Sequence, residues 1–206
     1  RHKGDWGNVI KNQFLNARAV KFNGTLFIAP IWELVNHKVK SIPFVINKKG
    51  VSTPMYPSTE YEIRHSYNNT SPLQRFFSHG FYSEETIVFS FPFQIYIKDL
   101  GLNICCKGMN LNDDNIRIQR SSNEIILEGL PIADSNHPKL PYYYFDEFLR
   151  KISDVNIPKD FLLKVFKYNI SIRKNIIDES NLIDNQVSKI LNKLMNYEIS
   201  LISFHN

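Results

Sequence analysis

Apolar and polar positions change their spacing several times along the chain, and each change predicts a different element. Near the start, within 6–20, Trp6, Val9, Ile10, Phe14 and Ala17 recur at helical spacing, which predicts a helix with its apolar side in a core, followed by a connection through Arg18. Asn23-Gly24 is a turn signal, and the run after it predicts a hairpin into a buried strand over 25–29. Pro43, Gly50, Pro54 and Pro57 break the pattern over 38–59, leaving a short hairpin of 41–47 with 51–55 across Asn47-Lys48-Lys49-Gly50. The stretch from Glu60 reads as a strand that delivers Tyr67 to a strand–helix junction. The helix that follows is well punctuated. Ser71 is its predicted N-cap, Pro72 takes the first helical position, Gln74 suits a capping box, and Gly80 ends it. Leu73, Phe76 and Phe77 form its apolar stripe.

Beyond Phe81 the spacing shortens and then lengthens again. Short strands are predicted over 86–91, 94–97, 103–106, 116–118 and 124–127, separated by the turn-rich segments 112–115 and 121–123. Helices are predicted over 142–152, 158–168 and 179–197. In the last, Ile183, Val187, Ile190, Leu191 and Leu194 share a face, and Asp178 or Ser180 supplies the cap. The cluster Tyr142-Tyr143-Tyr144-Phe145 reads as core or domain interface rather than a binding site. The fold class expected is α+β, a β-rich first part followed by a mainly helical C-terminal domain.

Composition narrows the class. At 206 residues, 43% hydrophobic and 13% aromatic, the chain can bury one large or two small cores, which separates it from disordered chains. The net charge of +5 comes from lysines and arginines interspersed with acids, so the surface reads as solvated and mildly basic, with no nucleic-acid partner expected. Cys105 and Cys106 are the only cysteines and are adjacent, which encodes neither a disulfide framework nor a zinc site, and no metal is expected. No apolar run has the length of a membrane span and no signal pattern is present, so an intracellular, cytoplasmic or nuclear place is expected.

Two ordered motifs add a resemblance. The string Pro30-Ile31-Trp32-Glu33-Leu34-Val35-Asn36-His37 resembles a Pro-Leu-x-Asp-x-x-Asn-His motif. The string Glu62-Ile63-Arg64-His65-Ser66-Tyr67, followed by a loop, a Ser-capped helix and Gly80-Phe81, resembles a second motif of the same family. That family is the SET-domain protein methyltransferases, in particular the branch similar to the Rubisco large-subunit methyltransferase. The resemblance covers residues from about Trp6 to Phe81. It implies that 1–86 is the C-terminal part of a SET domain and that 87–206 is the substrate-binding domain, the latter by position and pattern alone.

The resemblance also implies roles. Asn36 and His37 would contact S-adenosylmethionine, and Tyr67 would be the catalytic tyrosine beside it. Arg18, Glu33, His79 and Phe81 would lie on the substrate side, with a protein, through its lysine, as substrate; a histidine target belongs to the same family. Methyl transfer to an amine is an in-line displacement, in which positioning supplies much of the acceleration. The Tyr67 hydroxyl would orient the incoming nitrogen and line an oxygen-rich collar around the methyl group. The sequence departs from the family at three positions: Pro72 stands for Asn, His79 for Tyr, and Ala17 for the Ser of a Ser-Arg pair. Residues 1–20 also carry no glycine-containing cofactor segment of the kind that opens a SET domain, since Gly4 and Gly7 do not make that motif. Two expectations follow: an enzyme of which this is the C-terminal part, less stable alone than the complete domain, or a non-catalytic SET remnant acting as a protein-interaction module.

Overall fold

The computed structural model describes residues 8, 11–12, 14–15, 19–22, 24–28, 35–38, 41–42, 44–52, 64–65, 71–108, 117–152, 155–158, 160–183 and 185–203. The chain divides into two compact units, Arg1–Asn69 with Gln74–Ser83, and Thr70–Leu73 with Glu84–Asn206. It is an α+β protein, with small sheets first and most of the helix last.

The first unit is built from short paired strands. Residues 8, 11, 12, 14 and 15 are helical and Ala19 opens a strand, so the helical stretch ends before Ala19. β1 (Ala19–Phe22) and β2 (Thr25–Ile28) pair antiparallel around Gly24, whose φ of 80° is the left-handed conformation a tight turn needs. The β2 strand is not buried as its apolar composition suggested: Phe27 and Ile28 are 48% and 41% exposed. β3 (Asn36–His37) pairs in parallel with β6 (Arg64–His65), and β4 (Val45–Asn47) pairs antiparallel with β5 (Gly50–Ser52). In the β4–β5 turn the Asn47 side chain accepts from the Lys49 amide at 2.8 Å, which is how an asparagine closes a turn locally.

Helix α1 (Pro72–His79) crosses the division between the units. It starts on Pro72 and stops where the sequence places its glycine: Gly80 has φ 75°, and its amide closes the last turn on Phe76 O at 2.8 Å. The expected stripe is only partly turned inward. Leu73 is buried, Phe76 half-buried, and Phe77 60% exposed with its ring edge-on to Phe76, while Arg75 is fully buried.

The second unit holds the large core. β8 (Phe93–Ile97), β9 (Leu102–Cys106), β10 (Arg117–Arg120) and β11 (Glu124–Glu128) form one sheet in the order β10-β11-β9-β8, with β9 and β11 parallel. Its inward positions alternate as a one-sided sheet requires: Phe93 and Ile97, then Leu102, Ile104 and Cys106, then Ile125 and Leu127. β7 (Ile87–Phe89) pairs antiparallel with β12 (Pro131–Asp134). The sequence pattern gave no strand at β12. Its four residues are all buried, so no alternation marks it, and Pro131 stands at the first position, where a strand tolerates it.

Three helices cover this sheet region: α2 (Leu140–Lys151), α3 (Phe161–Asn181) and α4 (Gln186–Ser203). Phe145, Phe148 and Phe161 join the core, with the rings of Phe145 and Phe161 stacked at 5.9 Å. Of the tyrosine cluster, Phe145 is core, while Tyr142 and Tyr143 are 42% and 58% exposed. α3 runs well past the end expected at 168. Asn169 and Arg173, polar residues that look like a helix stop or an outer face, turn inward and find partners, so the helix continues through them. The C-terminal helix consequently begins later than 179. Asn185, not Asp178 or Ser180, caps it, accepting from the Ser188 amide at 2.9 Å. Of the expected face, Leu194 is fully buried while Ile183 and Val187 are 57% and 50% exposed, and Met195 and Ile202, not expected there, are buried as well.

Candidate functional site

The parallel pairing of β3 with β6 brings two sequence motifs side by side. Asn36 lies opposite Arg64, and His37 opposite His65. The Lys38 amide extends the ladder by donating to His65 O at 3.0 Å. Two-residue strands supply few ladder bonds, so the pairing depends on what surrounds it. His65 provides that anchor. It is fully buried, its Nδ1–H donates to Ile42 O at 2.7 Å, and its ring stacks on Phe44 at 4.2 Å. A carbonyl only accepts, so the proton on this side of the ring sits on Nδ1.

Around the pair stand further rings from the same unit. The His37 ring lies 5.8 Å from Phe81, and Phe81 lies 6.0 Å from His79, which closes the last turn of α1. His37 is half-buried and Asn36 exposed, so this edge combines an accessible amide with aromatic walls. Four expected site residues, Asn36, His37, His79 and Phe81, therefore fall within the described residues. His37, His79 and Phe81 gather in one ring cluster, and Asn36 borders it on β3. Arg18, Glu33 and Tyr67 lie outside the described residues. The sequence reading gave no role to His65 or Phe44. The signal for His65 was its place in the sequence, two residues before Tyr67. Nothing in the sequence marked Phe44, which reaches His65 through folding alone.

A second constellation, entirely within the second unit, was not expected. Arg173 and Glu198 form a buried ion pair, 1% and 0% exposed, with Arg173 Nε and Nη2 each 2.7 Å from Glu198 Oε2. The remaining donors of Arg173 are used as well. Nη1 reaches Asn169 Oδ1 at 3.0 Å and Asn169 O at 3.1 Å, Nη2 reaches Phe89 O at 3.2 Å, and the guanidinium lies 4.5 Å from the centre of the Phe91 ring. Asn169 in turn donates to Ser90 Oγ and Val165 O and accepts from the Phe91 amide. Burial lowers the Arg173 pKa, and the Glu198 carboxylate opposes that shift. Such a network is structural chemistry: every polar atom is satisfied, as a buried pair requires. Asn169, at which an Asn-Ile-Ser triplet begins, is fully buried in this network.

Where the α3–α4 hairpin turns, an apolar groove of about 410 Å³ is lined by Ile172, Ile176, Ile183, Val187 and Leu191, with Glu179 as its charged member. Among the described residues, no cluster of three or more His, Cys, Asp or Glu is placed to hold a metal, and no helix is long and apolar enough to cross a membrane.

The structure thus defines an α+β protein with a histidine- and phenylalanine-walled edge in its first unit. No family model, no curated protein and no solved structure matches the chain.

Proposed function

We propose that the chain belongs to an S-adenosylmethionine-dependent protein N-methyltransferase with a lysine amine as its most suitable acceptor. The observation that carries the reading is the β3–β6 pairing: it sets Asn36 and His37 beside Arg64 and His65, two residues before Tyr67, although 28 residues separate the partners in each registered pair. A site assembled from these two strings needs that juxtaposition. The exposed Asn36 and the half-buried His37 ring suit a ligand with a polar amino-acid end and a flat base, and Phe81, 5.8 Å from His37, stands on the acceptor side of them in this reading. S-adenosylmethionine supplies a methyl group already activated on a sulfonium sulfur. In this reading Asn36 and His37 hold the cofactor, Tyr67 orients the acceptor nitrogen, and Arg18, Glu33, His79 and Phe81 shape the acceptor side. His65, anchored to Ile42 O, keeps β6 in register with β3.

Isothermal calorimetry with S-adenosylmethionine tests the cofactor half. The expected result is micromolar binding by this chain and its loss in Asn36→Ala. Radiolabelled methyl transfer to protein tests the catalytic half: Tyr67→Phe is expected to abolish transfer with an unchanged circular dichroism spectrum, and full activity in that variant rejects the role. The groove of the α3–α4 hairpin, with Leu182 at 80% exposure beside it, favours a second reading, a non-catalytic remnant that works as a protein-interaction module. A folded chain that binds no cofactor is either that remnant or a C-terminal part that needs an upstream cofactor segment, and cofactor binding restored by joining such a segment decides for the methyltransferase.

A further inference from the structure

Helix α1 has eight residues, fewer than the roughly 12–15 at which an isolated helix becomes marginal in water. Its sequence supplies no acidic residue to its first turn. Pro72, at the first position, has no N–H, so the first donor the helix presents is the Leu73 amide. That amide donates to Glu198 Oε1 at 2.9 Å, an acceptor 125 residues further along the chain on α4. The other oxygen, Oε2, is taken by Arg173. Ser71, Pro72, Leu73 and Glu198 are all buried, so water does not replace the carboxylate at this end. An anion there also faces the positive end of the helix dipole in a poorly screened place.

We infer that α1 is a conditional helix, capped from a distance: Glu198 completes its N-terminus, so α1 forms only where the α3–α4 pair has already placed that carboxylate. Its two oxygens divide the work. Oε2 neutralises Arg173, and Oε1 holds the first free amide of α1. The device makes the order of the segment that ends in His79 depend on α4, and it stands whether or not the chain transfers methyl groups.

The test is amide hydrogen exchange on the full chain, followed by NMR. Glu198→Ala alone would strand the Arg173 charge and risks unfolding the unit, so the pair is replaced together. In Arg173→Met/Glu198→Leu the amides of Leu73 and of residues 76–80 are expected to exchange at least about tenfold faster, while those in the middle of α3 and α4 keep their protection. In Arg173→Met/Glu198→Gln, which restores a neutral acceptor, the Leu73 amide is expected to regain part of its protection. Unchanged protection of α1 in the leucine variant overturns the inference. So does equal loss across α1, α3 and α4, which would assign the pair to the helix hairpin alone, and so does a glutamine variant that behaves as the leucine one.

Discussion

Arg173 and Glu198 show how far a single residue's environment departs from its type. Both would ordinarily lie on a helix surface, and helical periodicity alone gives no reason to turn them inward. Folding buries them because Asn169, Phe89 and Leu73 satisfy the atoms the ion pair leaves over. Cys106 is a quieter case. It sits on an inward position of β9, 3% exposed, and burial pushes its thiol above the ordinary value of 9.0, against the pull of hydrogen bonds from Gly108, Ser90 and Leu130. A thiol whose folded pKa is raised stays neutral while the unfolded one ionises. Its contribution to stability is therefore complete below the ordinary thiol pKa and is lost as pH rises through the folded value. Half-buried Tyr197 adds to the same alkaline loss, its pKa raised first by burial and then by Glu84, Glu85 and Glu198. Thermal melts across the alkaline range are expected to show a melting temperature that falls as pH rises past 9.0, with a shallower fall in Cys106→Ala. Equal slopes in the two proteins would reject the assignment.

At the scale of elements, local chemistry marked the ends of some helices and misplaced others. Pro72 and Gly80 bound α1 where they stand in sequence, because a missing N–H and a left-handed φ are properties of the residues themselves. The α3–α4 turn was misread because several Asp, Ser and Asn residues compete there to cap. Ser180 was one of the two candidates, yet its side chain is used within the hairpin: Oγ lies 2.7 Å from Asn192 Oδ1, and its carbonyl accepts from Ser188 Oγ at 2.6 Å. With Ser180 engaged, Asn185 becomes the cap. Asn185→Ala is expected to cost about 1 kcal/mol in urea denaturation. Substituting Asp178, which lies within α3, should cost much less than that, and the opposite order would contradict the cap assignment.

For the whole molecule, the distribution of core residues matters more than any one element. Every residue of the large apolar cluster lies between Val88 and Ile202, within the second unit. A core of this size, closed by a four-stranded sheet and three helices, is enough for independent folding of a domain. Residues 70–206 expressed alone are therefore expected to melt in one cooperative transition by circular dichroism. A broad, non-cooperative melt would show that the second unit depends on the first. The described part of the first unit consists largely of two-stranded pairs, so its stability rests on few ladder bonds and on anchors such as His65 against Phe44.

The α+β class, the Asn23-Gly24 and Asn47–Gly50 turns, the bounds of α1 and most strand cores were written in the sequence, because turn chemistry and alternation act between near neighbours. Of the candidate site, the strings around Asn36-His37 and Arg64-His65 were legible as strings. Their parallel register, the stacking of Phe44 on His65 and the gathering of His37, Phe81 and His79 were not, since each joins residues far apart in the chain. The same reason hid β12, the inward face of α3 and the Glu198 carboxylate at the head of α1. A residue's own propensity decides an element only while no distant partner competes. Once Arg173, Asn169 and Glu198 meet, satisfying buried polar atoms outweighs what any of them prefers alone.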